Sequence, residues 1–176
     1  MPKRQVILNI ETTGLDSAKG HRIIEIAAVE LLDRRVSGNH FHRFLNPERA
    51  INPGAQAVHG ITLEFLKDKP KFAEVAQEFL TFMRGAELVA HNAPFDVAFL
   101  NCELSLIGSD QVEVLCSCVL DSLRIARQKC PGQRNSLDAL CAEYQINFQG
   151  RDLRGAWLDA YLLAEVYLAL THGSLH

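Results

Sequence analysis

The order of the hydrophobic patterns constrains the fold of this chain more than any other feature. Strand-like segments come first: the apolar run QVILNI at residues 5–10, a longer apolar run at residues 22–32 and an alternating segment at residues 39–46. Three consecutive strands predict an antiparallel meander. Helix-like and strand-like segments alternate after this point, and the combination predicts an α/β fold with a mixed sheet.

The predicted helices begin at residue 71. In residues 71–85 the apolar side chains recur at helical spacing, and Gly85 is suited to end that helix. Pro94 lies in the first turn of the next predicted helix, and Ser136 is suited to cap a later one. The full set comprises helices at residues 71–85, 93–108, 121–130, 136–146 and 156–170, the last of them amphipathic, and short strands at residues 87–92 and 112–119.

Composition excludes several classes of protein. A chain of 176 residues, 48% hydrophobic and 22% charged and without a repeat or linker, is typical of one globular domain covering residues 1–176. The net charge of −3 indicates no general affinity for nucleic acid, although a local patch is compatible with it. We find no 18-residue apolar run and no signal-peptide pattern, so we expect no membrane partner. Five irregularly spaced cysteines without a CxxC pair favour reduced thiols in a cytoplasmic protein.

Three acids lie where strands end or helices begin. Glu11 follows the first strand, Asp96 lies in the first turn of a helix after a strand, and Asp159 lies near the start of the last helix. Functional groups gather beyond the carboxyl ends of strands in α/β sheets, and carboxylates that meet there suit Mg²⁺ or Mn²⁺. The alternative is that Asp96 and Asp159 complement helix dipoles and that Glu11 is a solvated acid. By itself, His91 reads as a hydrogen-bonded structural residue.

The segments IETTGL, HRIIEIAAVE, VHGIT, HNAPFDVAFL and RNSLDALC resemble the DEDD superfamily of 3′–5′ exonucleases, and within it the proofreading branch. The resemblance covers roughly residues 5–172. It implies a ribonuclease H-like fold, which is a five-stranded mixed sheet flanked by helices. It also implies cleavage of DNA from the 3′ end with two bound divalent cations, Mg²⁺ or Mn²⁺.

Five positions define this branch, and the chain departs from the family at two of them. The Asp-x-Glu motif reads Asn9-Ile10-Glu11, the second motif supplies Asp96, and the His-x-x-x-x-Asp motif reads Arg154 to Asp159. The resemblance therefore implies that Glu11, Asp96 and Asp159 are metal ligands. Asn9 stands where the family has the carboxylate that bridges both metals, and Arg154 stands at the general-base histidine.

Both departures oppose hydrolysis with two metals. The Asn9 amide offers a neutral oxygen, which is a weaker Mg²⁺ ligand than a carboxylate, so we expect poor occupancy of the second metal position. Arg154 cannot act as a base because guanidinium stays protonated in proteins. Arginine is, however, a good partner for phosphate, so Arg154 is a candidate for holding a DNA 3′ end or a nucleotide. The alternative is that Arg154 is solvated or pairs with Glu11 or Asp159.

The resemblance also marks residues that contact substrate. It places Thr12 and Thr13 beside the terminal nucleotide, although hydroxyl groups that stabilise a turn are an equal interpretation of this pair. His59, in VHGI, is a candidate for holding the DNA end. His91 is a further candidate near the substrate, where it would assist the attacking water if the enzyme is active.

Three functions follow from these observations. The first is an exonuclease domain with weak or no activity that binds nucleic acid 3′ ends. The second is an active metal-dependent 3′–5′ DNA exonuclease with a modified site, and the third is a non-catalytic structural subunit of a replication complex. The expected partners are a single-stranded DNA 3′ end or a nucleotide, and a replicative polymerase or a small accessory subunit. We find no tail after residue 170 that would dock to a polymerase, so we do not expect binding of that kind.

Overall fold

A computed structural model describes residues 1–147 and 155–173 of the protein. Its sheet has five strands in the order β3-β2-β1-β4-β5. β1 pairs antiparallel with β2 and β2 with β3, whereas β4 is parallel to β1 and β5 is parallel to β4. The predicted meander and mixed sheet are thereby confirmed. The strands are β1 Arg4–Thr12, β2 Ile23–Leu32, β3 Arg35–Phe44, β4 Glu87–Ala90 and β5 Cys118–Asp121.

Helices follow the meander and separate the two parallel strands. The predicted helix at residues 71–85 is confirmed, and its six apolar side chains are all buried. It stops before Gly85, which adopts a positive φ of 75° that favours glycine. Ser136 caps its helix by accepting the Ala139 N–H. The helices are α1 Pro53–His59, α2 Leu63–Leu66, α3 Phe72–Met83, α4 Ala93–Leu106, α5 Val112–Leu115, α6 Ser122–Lys129, α7 Leu137–Glu143 and α8 Ala156–Leu170, with a 3₁₀ turn at Ser17–Lys19.

Two predictions about secondary structure were wrong. The strand predicted at residues 112–119 is instead α5 followed by β5, because Val112 and Leu115 bury their side chains three positions apart and the Asn101 side chain accepts the Val112 N–H. α8 is not amphipathic: it packs on β1 and β2 and is covered by α6 and α7, so that apolar residues are buried around most of its circumference. The short helices α1 and α2 were not predicted.

The alternation of side chains along β1 decides where the site lies. Val6, Leu8 and Ile10 point into the core beneath α3 and α4. Ile7 points to the opposite face, where it packs against α8. Asn9 and Glu11 share the face of Ile7, because successive side chains alternate across a strand. The two motif residues of β1 therefore lie on the side of the sheet that α8 covers.

No helix among residues 1–147 and 155–173 is long and apolar enough to cross a membrane.

Candidate active site

The register between β1 and β2 sets the surroundings of Glu11. Glu11 lies opposite Glu25, and Asn9 lies opposite Ala27. Side chains that face each other across paired strands share one face of the sheet, so Glu11, Glu25 and Asn9 are grouped there. Glu25 is only 2% exposed, although it carries a carboxylate in the middle of an apolar strand.

Glu25 connects the sheet to the start of α8. One carboxylate oxygen lies 2.8 Å from His42 Nε2 on β3, and the other accepts the Ala156 N–H at 3.4 Å. The contact fixes the first turn of α8, which carries Asp159.

Carboxylates on several elements influence Glu11. Burial, followed by the negative charges of Glu25 and Asp159, raises the pKa of Glu11 to about 7. The ordinary pKa of this side chain is 4.5, so Glu11 is partly protonated near neutral pH when no cation is bound. The structure thus brings Glu11 and Asp159 into one electrostatic neighbourhood, as the sequence predicts.

Asp96 also interacts electrostatically with Glu11. It lies in the first turn of α4 and is 5% exposed. Burial, followed by the charges of Asp121 and Glu11, raises its pKa well above the ordinary value. Asp121 ends β5 and accepts the N–H groups of Asn92 and Leu123 at 2.9 and 3.1 Å. Glu11 is therefore coupled to acids on β2, α4 and α8.

A cleft opens beside Glu11. It has a volume of about 500 Å³, and its walls include Glu11, Thr12 and His59. Two large apolar side chains in its lining are strongly exposed, Leu15 at 85% and Val58 at 86%. Exposed apolar side chains around a polar site are typical of surfaces that bind a partly apolar ligand.

The hydroxyl groups of the two threonines stabilise the turn after β1. Thr12 Oγ1 donates to the Gly14 carbonyl at 2.6 Å. Thr13 is fully buried, and its Oγ1 accepts the Arg22 N–H at 3.0 Å. Both threonines thus make the turn contacts that one interpretation of the sequence expects. Thr12 also lines the cleft, which is compatible with the other interpretation.

Both ring nitrogens of His59 and of His91 have hydrogen-bond partners. His59 Nδ1 accepts the Ile61 N–H at 3.0 Å, and its Nε2 lies 3.2 Å from the Thr12 carbonyl oxygen. This pattern requires the neutral ring, and burial lowers the pKa of His59 accordingly. His91 contacts the Ser122 hydroxyl at 2.9 Å and the Asn135 carbonyl at 2.7 Å. His59 lines the cleft, whereas the contacts of His91 support its structural interpretation.

Comparison with known proteins assigns the family. The sequence model of a family described as exonuclease, RNase T, matches residues 6–167. The chain belongs to this exonuclease family. It is 55% identical over 175 residues to the DNA polymerase III subunit epsilon of Escherichia coli strain K12, which covers 97% of this chain and 72% of the relative. The epsilon subunit of Rickettsia typhi is 51% identical over 171 residues, covering 97% of this chain and 75% of the relative.

Solved structures agree with this assignment. Exonuclease X in complex with 5′ overhanging duplex DNA matches with a TM-score of 0.75 and 27% identity, over 97% of this chain and 92% of that one. Exonuclease I without ligand matches with a TM-score of 0.82 over 98% of this chain and 42% of that one, and its 16% identity shows the fold alone. The predicted ribonuclease H-like fold is confirmed, and the chain is an epsilon-like 3′–5′ exonuclease domain.

The chemistry of the carboxylates fits a divalent cation, on which this exonuclease family generally depends. Hard oxygen donors suit such ions, and the raised pKa values of Glu11 and Asp96 show that positive charge would stabilise their ionised forms. Within residues 1–147 and 155–173, however, no three His, Cys, Asp or Glu side chains are arranged to hold a metal ion. The acids are close together, but the described residues do not form a complete metal coordination site.

Arg154, at the general-base position of the family, lies outside the described residues. Whether it holds phosphate, is solvated or pairs with an acid stays a prediction. Sequence reasoning missed Glu25 and Asp121, both of which act on the predicted acids. An acid within the apolar run at residues 22–32, which also contains Glu30, is a usable signal for Glu25, because buried carboxylates are rare without a partner. For Asp121 the signal is the end of β5, which the sequence pattern places at residue 119 and the structure at Asp121.

Proposed function

We propose that this exonuclease-family chain is one domain that binds nucleic acid 3′ ends and cleaves them weakly or not at all. The observation that carries the proposal is the position of Asn9. It shares the α8 face of β1 with Glu11, at the acid cluster, yet it supplies an amide where the family supplies a carboxylate. The sequence adds Arg154 at the general-base position.

Binding is supported by the cleft beside Glu11. A cavity of about 500 Å³ is large enough for a nucleotide, and the exposed side chains of Leu15 and Val58 offer apolar surface for a base or sugar. Thr12 and the neutral ring of His59 add polar groups to the same wall. These features do not depend on the residues that differ from the family.

Metal binding would involve the acids that the family motifs mark. Glu11, Asp96 and Asp159 would hold a divalent cation, Mg²⁺ or Mn²⁺, which supplies activation of water and neutralisation of the leaving oxygen. Asn9 contributes a neutral oxygen and therefore weakens a second cation position. Arg154 has no proton-accepting nitrogen near neutral pH, so the chain lacks the base that its family uses.

An active exonuclease with a modified site is the second candidate. It is supported by the cluster of Glu11, Asp96 and Asp159, in which burial and mutual repulsion raise the pKa of two members. A cluster of this kind stabilises a bound cation, and a single cation would support slow hydrolysis. The two candidates differ in rate rather than in substrate.

The partners are proposed from the relatives. Epsilon relatives are named as subunits of DNA polymerase III, and the exonuclease X structure contains duplex DNA. For this chain we expect a single-stranded 3′ end as ligand and a replicative polymerase or small accessory subunit as protein partner.

Two measurements test the proposal. In EDTA, fluorescence anisotropy should show that the parent binds single-stranded DNA with a free 3′ end and discriminates against a 3′-phosphorylated strand. In Mn²⁺, nuclease activity should be absent or low in the parent and higher in Asn9→Asp with Arg154→His. Gln128→Glu, an exposed amide-to-acid change on α6, is the matched control for added charge. Robust degradation by the parent, or failure to bind the strand, would contradict the proposal.

A further inference from the structure

Several basic side chains lie at one edge of the cleft. The proposed function does not use them. We call Lys19, His21 and Arg49 the cationic rim. Lys19 and His21 line the cleft, and Arg49 Nη1 lies 3.4 Å from the Lys19 carbonyl oxygen. One acid, Asp16, also lines the cleft near the rim, and its carboxylate accepts the Ala18 N–H at 2.9 Å. The charge of this edge is opposite to that around Glu11.

Hydrogen bonds fix the protonation of the His21 ring. Thr13 Oγ1 accepts the Arg22 N–H and lies 2.9 Å from His21 Nδ1. Because Thr13 is fully buried, and because the described residues offer its hydroxyl no other acceptor, the hydroxyl proton is donated to Nδ1. The proton of the neutral ring is then on Nε2. Within the described part of the chain, no hydrogen-bond partner occupies His21 Nε2.

Gly14 holds the ring in place by its lack of a side chain. A Cβ at position 14 would lie 2.3 Å from His21 Cε1 and 2.5 Å from both ring nitrogens, far inside van der Waals contact. The ring therefore occupies the space that a side chain at position 14 would fill, and both residues line the cleft. Close packing on one side and the Thr13 hydrogen bond on the other make His21 a preorganised donor.

We infer that the cationic rim binds a phosphate of the bound strand, with His21 Nε2–H as hydrogen-bond donor and Lys19 and Arg49 as the balancing charges. The inference rests on the proposed binding of nucleic acid 3′ ends. Without a metal ion, the acids around Glu11 offer a phosphate no positive charge. The rim borders the cleft with charge that is complementary to the strand, so it anchors the strand when no metal is bound.

The test compares two probes in EDTA. The first is fluorescein-labelled oligothymidylate, and the second is the same sequence with an uncharged methylphosphonate backbone. His21→Ala should weaken binding of the charged strand about tenfold, the usual loss for one hydrogen bond to a charged group. Lys19→Ala should weaken it about threefold, as for an exposed charge. Neither change should alter binding of the uncharged strand.

Two variants serve as controls, and a third provides a second test. His21→Gln should bind within about twofold of the parent, since its amide can accept from Thr13 and still donate to phosphate. His172→Ala removes an exposed histidine after α8 and should change nothing. Lys19→Glu tests the rim without touching the buried turn, so the inference remains testable if His21→Ala does not fold.

The outcomes separate this inference from the proposed function. If the parent binds the charged strand and both His21→Ala and Lys19→Ala bind it equally well, the rim is refuted while 3′-end binding stands. An equal loss for the charged and uncharged strands would also refute the rim. If the parent binds neither strand, both the rim and the proposed function are refuted.

Discussion

The ion pair between Arg22 and Glu103 yields an asymmetric prediction about stability. Arg22 Nε and Nη2 each donate to a different oxygen of Glu103 at 2.7 Å, and the Ile23 N–H donates to the same carboxylate at 3.2 Å. These hydrogen bonds join the start of β2, next to His21, to α4, which carries Asp96. The side chain of Glu103 is 2% exposed, whereas that of Arg22 is 27% exposed.

Removing the charge of Arg22 and removing that of Glu103 therefore have different effects on stability. Arg22→Met leaves a buried carboxylate without its cation, and losses of this kind are about 3 to 5 kcal/mol. We expect about 3 kcal/mol, because water can reach the space that the partly exposed guanidinium leaves. Glu103→Gln keeps the shape and part of the hydrogen bonding, and it leaves a cation that water can solvate, so we expect about 1 kcal/mol.

Urea denaturation of the two single variants and the double variant measures these free energies. The double variant should be more stable than Arg22→Met alone, because it no longer buries a lone charge. Arg84→Ala, an exposed arginine after α3, is the control and should change stability by less than about 0.5 kcal/mol. If Glu103→Gln destabilises as much as Arg22→Met, the desolvation argument is wrong.

Other predictions address the core, the acids and the turn. Phe79→Ala should lower the free energy of unfolding by about 3 to 5 kcal/mol in urea denaturation. The side chain of Phe65 is half-exposed, so Phe65→Ala should lower it by less than about 1 kcal/mol. Similar losses for the two variants would contradict the assignment of Phe79 to the core. In EDTA, stability should decrease as pH rises from 4.5 to about 7, because folded Glu11 retains a proton that the unfolded chain has lost. Glu11→Gln should reduce this slope, and an unchanged slope would refute the assignment. Gly14→Ala should displace the His21 ring and lower the free energy of unfolding by about 1 to 3 kcal/mol, and NMR shifts of His21 identical to those of the parent would contradict the close packing.

The elements that were predicted correctly carry strong local patterns. The apolar side chains of α3 lie on one face of the helix, and that face is buried, as their spacing predicts. Strands β1 to β3 follow one another without an intervening α-helix, so the meander could be derived from order alone. α5 and α8 could not be predicted, because their structure depends on contacts. The Asn101 side chain accepts the Val112 N–H at the start of α5. The burial of α8 depends on its packing against α6 and α7.

The site was predictable where it depends on chain position, and unpredictable where it depends on register. Glu11 and Asp96 follow strands, so their grouping could be derived from the α/β pattern. Glu25 acts on Glu11 because β1 and β2 pair in one particular register, which the sequence does not state. The orientation of His21 likewise depends on Thr13 and Gly14 meeting the ring after the turn closes.

Release of the 3′-terminal nucleotide from single-stranded DNA in Mn²⁺ tests the central proposal most directly. Under single-turnover conditions, the rate should be at least about 100-fold higher in Asn9→Asp with Arg154→His than in the parent, because a restored general base alone contributes about 10² to 10⁴. Asn9→Asp by itself should recover only part of that difference. A parent that already releases nucleotide as fast as the double variant would contradict the proposal that this exonuclease domain binds 3′ ends with little or no cleavage.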